Sequence, residues 1–402
     1  MVQNYFGGSM CFISNRVKSC IAFLLFFVMV SMEGNLLCFA DESAKPALLS
    51  ESYVLMEAST GTVLHEKDMH KVLPPASITK IMTLLLIYEA LEDGTITKET
   101  IVTTTDHAAG MGGSQVYLEV GEQQTVETLI KCICISSAND ACVAMAEHLS
   151  GTEEAFVEEM NKKAKELGMN NTHFVNCCGL DVEGHVSTAY DIALMSAELM
   201  SRFPDITTYT TTRIDSMTHV TNKGSSEFGL TNTNKLLTSY EGITGLKTGS
   251  TSKARYCLSA TATRNDIDMI AVVLSAPDTK TRFKEAATLL NYGFSQCKIY
   301  MDDHTELEPI LVPVEQSMEE ELTLIPKEKF RYISVEKEDF AQITKEVLVY
   351  EKISAPISKE EELGTIIYSL NGKEIGRIAL VAEREIKEAT YLDYLKKILS
   401  YF

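Results

Sequence analysis

The 402-residue chain is short of positive charge: 36 Lys and Arg stand against 56 Asp and Glu, for a formal net charge of −20. That balance argues against a nucleic-acid partner, because phosphate binding needs a basic surface. Acidic runs such as Glu319-Glu320-Glu321 and Glu360-Glu361-Glu362 read as solvated faces. Metal-binding patterns are missing too. There is no His-Glu-x-x-His, and the cysteines do not fall at zinc-ligand spacings. Nor do they make a disulfide framework. Cys11, Cys20 and Cys38 lie in the N-terminal leader, and the odd number that remains includes Cys132-x-Cys134 and the adjacent Cys177 and Cys178. These are expected to be small buried hydrophobes, and no metal or cofactor is implied. The apolar run from Cys20 to Met32 is short for a membrane span. With Arg16 and Lys18 before it and Cys38-Phe39-Ala40 after it, residues 1–40 read as a signal peptide cleaved before Asp41. The protein is therefore expected to be exported.

What is present is an ordinary globular composition, 45% hydrophobic and 23% charged, enough for two or three domains. Tyr53 to Glu57 and Thr62 to Leu64 flank Ala58-Ser59-Thr60-Gly61, a hairpin signal. An all-apolar helix follows from Ser77, then helices over Thr125–Cys134, Asp140–Leu149, Thr152–Leu167 and Thr188–Met200. Strands return at Arg255–Ala260 and Asp268–Leu274, before a helix over Lys280–Gly293. Strands at both ends with helices between them predict an α+β domain, an antiparallel sheet packed on helices, over residues 41–297. Residues 298–384 carry short β-rich pieces and an Asn371-Gly372 hairpin turn, predicting a small all-β domain. Residues 385–402 place Tyr391, Leu392, Leu395, Ile398, Leu399 and Phe402 on one helical face with lysines around it. This is the pattern of an amphipathic helix lying on a membrane surface.

Three short boxes carry the chemistry: Ser77-Ile78-Thr79-Lys80, Ser137-Ala138-Asn139 and Lys247-Thr248-Gly249. Ser-x-x-Lys also occurs at Ser250, Ser295 and Ser334, but only Ser77 follows Pro74-Pro75 and opens a buried helix, whose first turn puts Ser77 and Lys80 on one face. A serine hydroxyl needs a base, and Lys80 serves when burial and a second cation, Lys247, favour its neutral form. Ser137 can relay a proton to a leaving amine. Asn139 can hold a substrate amide and accept from Lys80. Lys247 and Thr248 suit a carboxylate. Gly249 lets a substrate backbone approach a strand edge, and the N–H groups of Ser77 and Ser250 can form an oxyanion hole.

These boxes, with Leu55 to Gly61, His173-Phe174-Val175-Asn176, Ser187 to Asp191 and Leu290 to Phe294, resemble low-molecular-mass penicillin-binding proteins of the D-alanyl-D-alanine carboxypeptidase (S11) type. The resemblance spans roughly residues 45 to 295. It implies a β-lactamase/transpeptidase-like fold and a serine peptidase that takes the terminal D-alanine from peptidoglycan pentapeptides through an acyl-enzyme on Ser77. It also implies penicillins as inhibitors and a role for Arg282 toward the terminal carboxylate. The alternatives are a class A-like β-lactamase, whose Glu-x-x-Leu-Asn loop finds its nearest match at Glu166 to Asn170, and a D,D-endopeptidase of the same family. Cys177-Cys178 departs from the family, which has Pro and a polar residue there. That loop borders the site, so substrate preference or deacylation is expected to differ.

Overall fold

The computed structural model describes residues 46–336 and 338–399. The proposed signal peptide and residues 400–402, Phe402 among them, lie outside the described residues. Strands β1 (Ser52–Glu57) and β2 (Thr62–Lys67) form the first hairpin. A 3₁₀ turn, Ala76–Thr79, leads into helix α1 (Lys80–Glu92). After the small ribbon of β3 (Ile101–Thr103) and β4 (Gln123–Thr125) come α2 (Val126–Ile135), α3 (Asn139–Ser150), α4 (Glu153–Glu166) and α5 (Ala189–Arg202). The hairpin β5 (Ile214–Thr221) and β6 (Gly224–Thr231) precedes β7 (Ile243–Thr251), β8 (Arg255–Arg264) and β9 (Ile267–Ala276). Helix α6 (Thr279–Gln296) closes this part.

The main sheet is antiparallel, in the order β2-β1-β9-β8-β7. It is covered on both faces, which explains why β1 and β9 read as continuous apolar runs. Side chains alternate across a strand. Val54 and Met56 of β1 and Ile270 and Val272 of β9 therefore join the core beneath the helical layer, with α1, α2 and α3. Their neighbours Tyr53, Leu55, Ala271 and Val273 join the opposite core beside α6. Helix α1 is buried on nearly every side, from Lys80 through Tyr88, and anchors the turn that carries Ser77. One expectation needs correction. Ser77 does not sit on the α-helix but on the 3₁₀ turn before it, where residues i and i+3 eclipse and Ser77 and Lys80 are drawn closer.

The C-terminal sheet has the order β11-β12-β16-β15-β14, from β11 (Ile310–Pro313), β12 (Glu321–Pro326), β14 (Ile343–Val349), β15 (Glu362–Leu370) and β16 (Lys373–Ala382). A separate pair, β10 (Lys298–Asp302) and β13 (Phe330–Ser334), lies beside it. Asn371 (φ 52°) and Gly372 (φ 78°) make the two-residue turn between β15 and β16, as the sequence predicts. Helix α7 (Tyr391–Leu399) ends the described chain. Six of the seven cysteines described are buried and all are free thiols.

Candidate active site

Ser77 lies where the first turn before α1 meets the edge strand β7. Two glycines permit the approach. A Cβ on Gly249 would stand 3.0 Å from Pro75 O and 3.1 Å from Ser77 N. A Cβ on Gly179 (φ +88°) would overlap the Ala76 carbonyl and stand 2.9 Å from Ser77 N. Gly249 thus also lets β7 pack against the turn that carries Ser77, beside the expected room for a substrate backbone. Between the two glycines, Ala76 holds φ +50°, an uncommon backbone conformation fixed by its surroundings.

Lys80 is completely buried, and its ammonium has three acceptors: Ser77 Oγ at 3.1 Å, Asn139 Oδ1 at 2.6 Å and the Cys178 carbonyl at 2.6 Å. Those bonds use all three of its N–H groups. The Ser137 hydroxyl instead accepts from Lys247 Nζ at 2.8 Å, so the structure joins Ser137 to the second lysine. Lys247 also donates to the Thr248 carbonyl at 3.1 Å. Burial, reinforced by the Lys80 cation, pulls Lys247 down to about 7. The Thr248 hydroxyl bonds Thr233 Oγ1 at 2.6 Å, while Ser250 is exposed further along β7. Because β7 ends the sheet, it leaves an edge beside Ser77 at which an extended peptide can add.

Arg282 lies at the start of α6, beside the Lys-Thr-Gly end of β7. Its Nη1 donates to the carbonyls of Gly249 at 2.9 Å and Cys257 at 3.2 Å. Its buried Nε has no hydrogen-bond partner among the described residues. In this structure it braces the box end of β7 against β8.

Several residues of the site escape sequence reasoning. Asp140 is buried at the start of α3, and its carboxylate accepts from the N–H groups of Val116 and Leu118, both at 3.1 Å. Asn139 reaches the same strap, giving its N–H to Ser114 O at 2.7 Å and its Nδ2 to Gly112 O at 2.6 Å. The strap over residues 112–118 is thereby fastened beside the middle box. Asn176 Oδ1 gathers the N–H groups of Cys178, Gly179 and Leu180, the closest being Gly179 at 2.6 Å. This shapes the loop whose carbonyl holds Lys80. Cys177 and Cys178 are both buried among apolar side chains, and it is the Cys178 carbonyl that reaches the Lys80 ammonium. An Asx signal at Asn176 and an acidic residue on a helix's first turn were the available clues.

A serine with its lysine on one eclipsed turn, an edge strand bearing Lys-Thr-Gly, and helices on both faces of the sheet define an acyl-serine enzyme of the penicillin-interacting class. Residues 40–278 match the D-alanyl-D-alanine carboxypeptidase (peptidase S11) family, and residues 294–388 match the penicillin-binding protein 5 C-terminal domain. The chain belongs to the S11 family of D-alanyl-D-alanine carboxypeptidases. It is 42% identical to the carboxypeptidase DacF of Bacillus subtilis over 87% of this chain and 89% of that one. To DacA of Escherichia coli it is 32% identical, over 87% and 88%. Among solved structures, penicillin-binding protein 5 of Haemophilus influenzae is 28% identical with a TM-score of 0.64, covering 86% of this chain and 99% of that one. A PBP3 structure from Streptococcus pneumoniae is 26% identical with a TM-score of 0.69, covering 85% and 100%.

Proposed function

We propose that Ser77 is the nucleophile of a D-alanyl-D-alanine carboxypeptidase acting on peptidoglycan pentapeptide stems. The observation that carries this reading is the Lys80 ammonium, buried and 3.1 Å from Ser77 Oγ, with Lys247 and Ser137 paired across the cleft. Once its ammonium has given up a proton, Lys80 takes the Ser77 proton as the oxygen attacks the penultimate D-alanine carbonyl. The N–H groups of Ser77 and Ser250 receive the oxyanion. As the C–N bond breaks, Ser137 relays to the departing amine the proton that Lys80 took from Ser77, and D-alanine leaves with its carboxylate held by Lys247 and Thr248, with Arg282 bracing the strand that carries them. Asn139 holds the substrate amide. Water then hydrolyses the ester. A β-lactam follows the same first step, but its amine stays tethered within the acyl group and does not diffuse away.

A β-lactamase reading has less support. Glu166 ends α4 on the surface, 2.8 Å from Lys163, rather than facing Ser77. The same proposal makes residues 41–297 the peptidase, 298–384 a β-rich domain and 385–402 a membrane-surface helix on an exported protein. D-alanine release from a pentapeptide, measured with and without penicillin, tests the activity. Ser77→Ala is expected to abolish both release and the penicillin mass adduct, and Lys80→Ala to nearly abolish them. A persistent adduct on the alanine variant would refute the assignment.

A further inference from the structure

His185 takes no part in the chemistry above, yet it is buried within the nucleophile's support. The Val175 N–H donates to its Nδ1 at 3.0 Å. Its Nε2 lies 2.8 Å from Thr79 Oγ1, and that hydroxyl donates to the Ala76 carbonyl at 2.8 Å. Each bond fixes the next. A lone pair on Nδ1 puts the ring proton on Nε2, and a Thr79 hydrogen spent on Ala76 leaves Thr79 Oγ1 as the acceptor of that proton. The ring also packs on Phe174, centroids 5.8 Å apart, so its orientation is set from a second side.

The end of this chain is the peptide joining Ala76 to Ser77. A trans peptide is planar, so anchoring its C=O also aims its N–H in the opposite direction. That N–H belongs to Ser77, the oxyanion donor in the proposed reaction. Gly179 closes on the same peptide, and the φ of +50° at Ala76 leaves it dependent on such contacts.

We propose that His185 and Thr79 are positioning residues that aim the Ser77 N–H at the oxyanion through the Ala76 carbonyl. The inference rests on the acyl-serine reading and adds to it a route of control from the loop behind the site. Preorganised donors matter chiefly in the transition state, so the role has a signature that general structural support lacks.

The test compares His185→Leu and Thr79→Val with His185→Gln and Thr79→Ser, using the full chain without its leader. Gln retains an acceptor and a donor, and Ser retains the hydroxyl. Stopped-flow acylation by a chromogenic penicillin separates initial binding from the acylation step, and a D-alanine-analogue boronic acid reports the tetrahedral adduct. The Leu and Val variants are expected to acylate about 10²-fold more slowly and to lose boronate affinity in parallel, with initial binding little changed. The Gln and Ser variants should recover most of both. Wild-type acylation in Thr79→Val, a loss confined to initial binding, or no recovery with Gln and Ser would overturn the proposal. Failure of the unmodified protein to form any acyl adduct would instead refute the parent reading.

Discussion

At the scale of single residues, Lys247 shows how the site stores free energy against the fold. It is buried at the end of the cleft, and burial with the nearby Lys80 cation lowers its ammonium from 10.5 to about 7. Between those values the unfolded chain keeps a proton that the folded chain has released. The lysine is therefore neutral in its effect above pH 10.5, destabilises progressively as pH falls toward 7, and carries its full cost below that. That cost is on the order of a few kcal/mol. Lys247→Met, similar in length and uncharged, is expected to raise Tm at pH 7 by a few degrees. The same variant should raise KM for peptides ending in a free carboxylate more than for their amides. Calorimetry and paired KM measurements check both. An unchanged Tm would mean that the bonds to Ser137 and Thr248 already offset the desolvation.

At the scale of elements, the contact between β7 and the turn before α1 brings two of the three boxes together, and it depends on Gly249. A methyl group there meets Pro75 O, Ala76 and Ser77 N at 3.0 to 3.1 Å, two of them backbone atoms with little freedom to retreat. Gly249→Ala is expected to cost about 1–3 kcal/mol and to slow penicillin acylation by about 10²-fold through displacement of Ser77. Gly229→Ala, with open space around it on the exposed hairpin, is the matched control and should acylate normally. Equal rates for the two variants would break the argument. The helices were legible because their first turns are capped. Thr125, Thr152 and Thr188, where three helices were expected to start, each accept a backbone N–H from three residues on. The hairpin β5–β6 was not legible. Its strands bury little beyond Met217 and Leu230, so no alternating apolar pattern marks them. The boxes were readable as sequence, whereas the Asp140 strap and the His185 chain join residues far apart whose pairing no local pattern encodes.

At the scale of the whole molecule, the open question is what the C-terminal helix does. No side chain of α7 is buried, and Leu392, Ile398 and Leu399 are each more than half exposed. Docking on the β-rich part would have covered this face. The link to the rest of the chain is polar and peripheral: Lys397 reaches Glu320 at 3.0 Å, and the Ala389 N–H donates to Gln316 O at 2.8 Å. No described helix is long and apolar enough to cross a membrane, so attachment by this element would be to a surface. Where the chain is cut decides whether the test is clean. Ile386 is buried and bridges Ile357, so removing it would open the C-terminal core, whereas a cut directly after it removes no buried side chain among the described residues. Ending the chain at Ile386 is therefore expected to preserve D-alanine release from a soluble pentapeptide. It should also abolish co-sedimentation with anionic phospholipid vesicles, which the longer protein is expected to show at low salt. Sedimentation of the shortened form would place the anchor elsewhere, and lost activity would instead give the tail a part in holding the enzyme together.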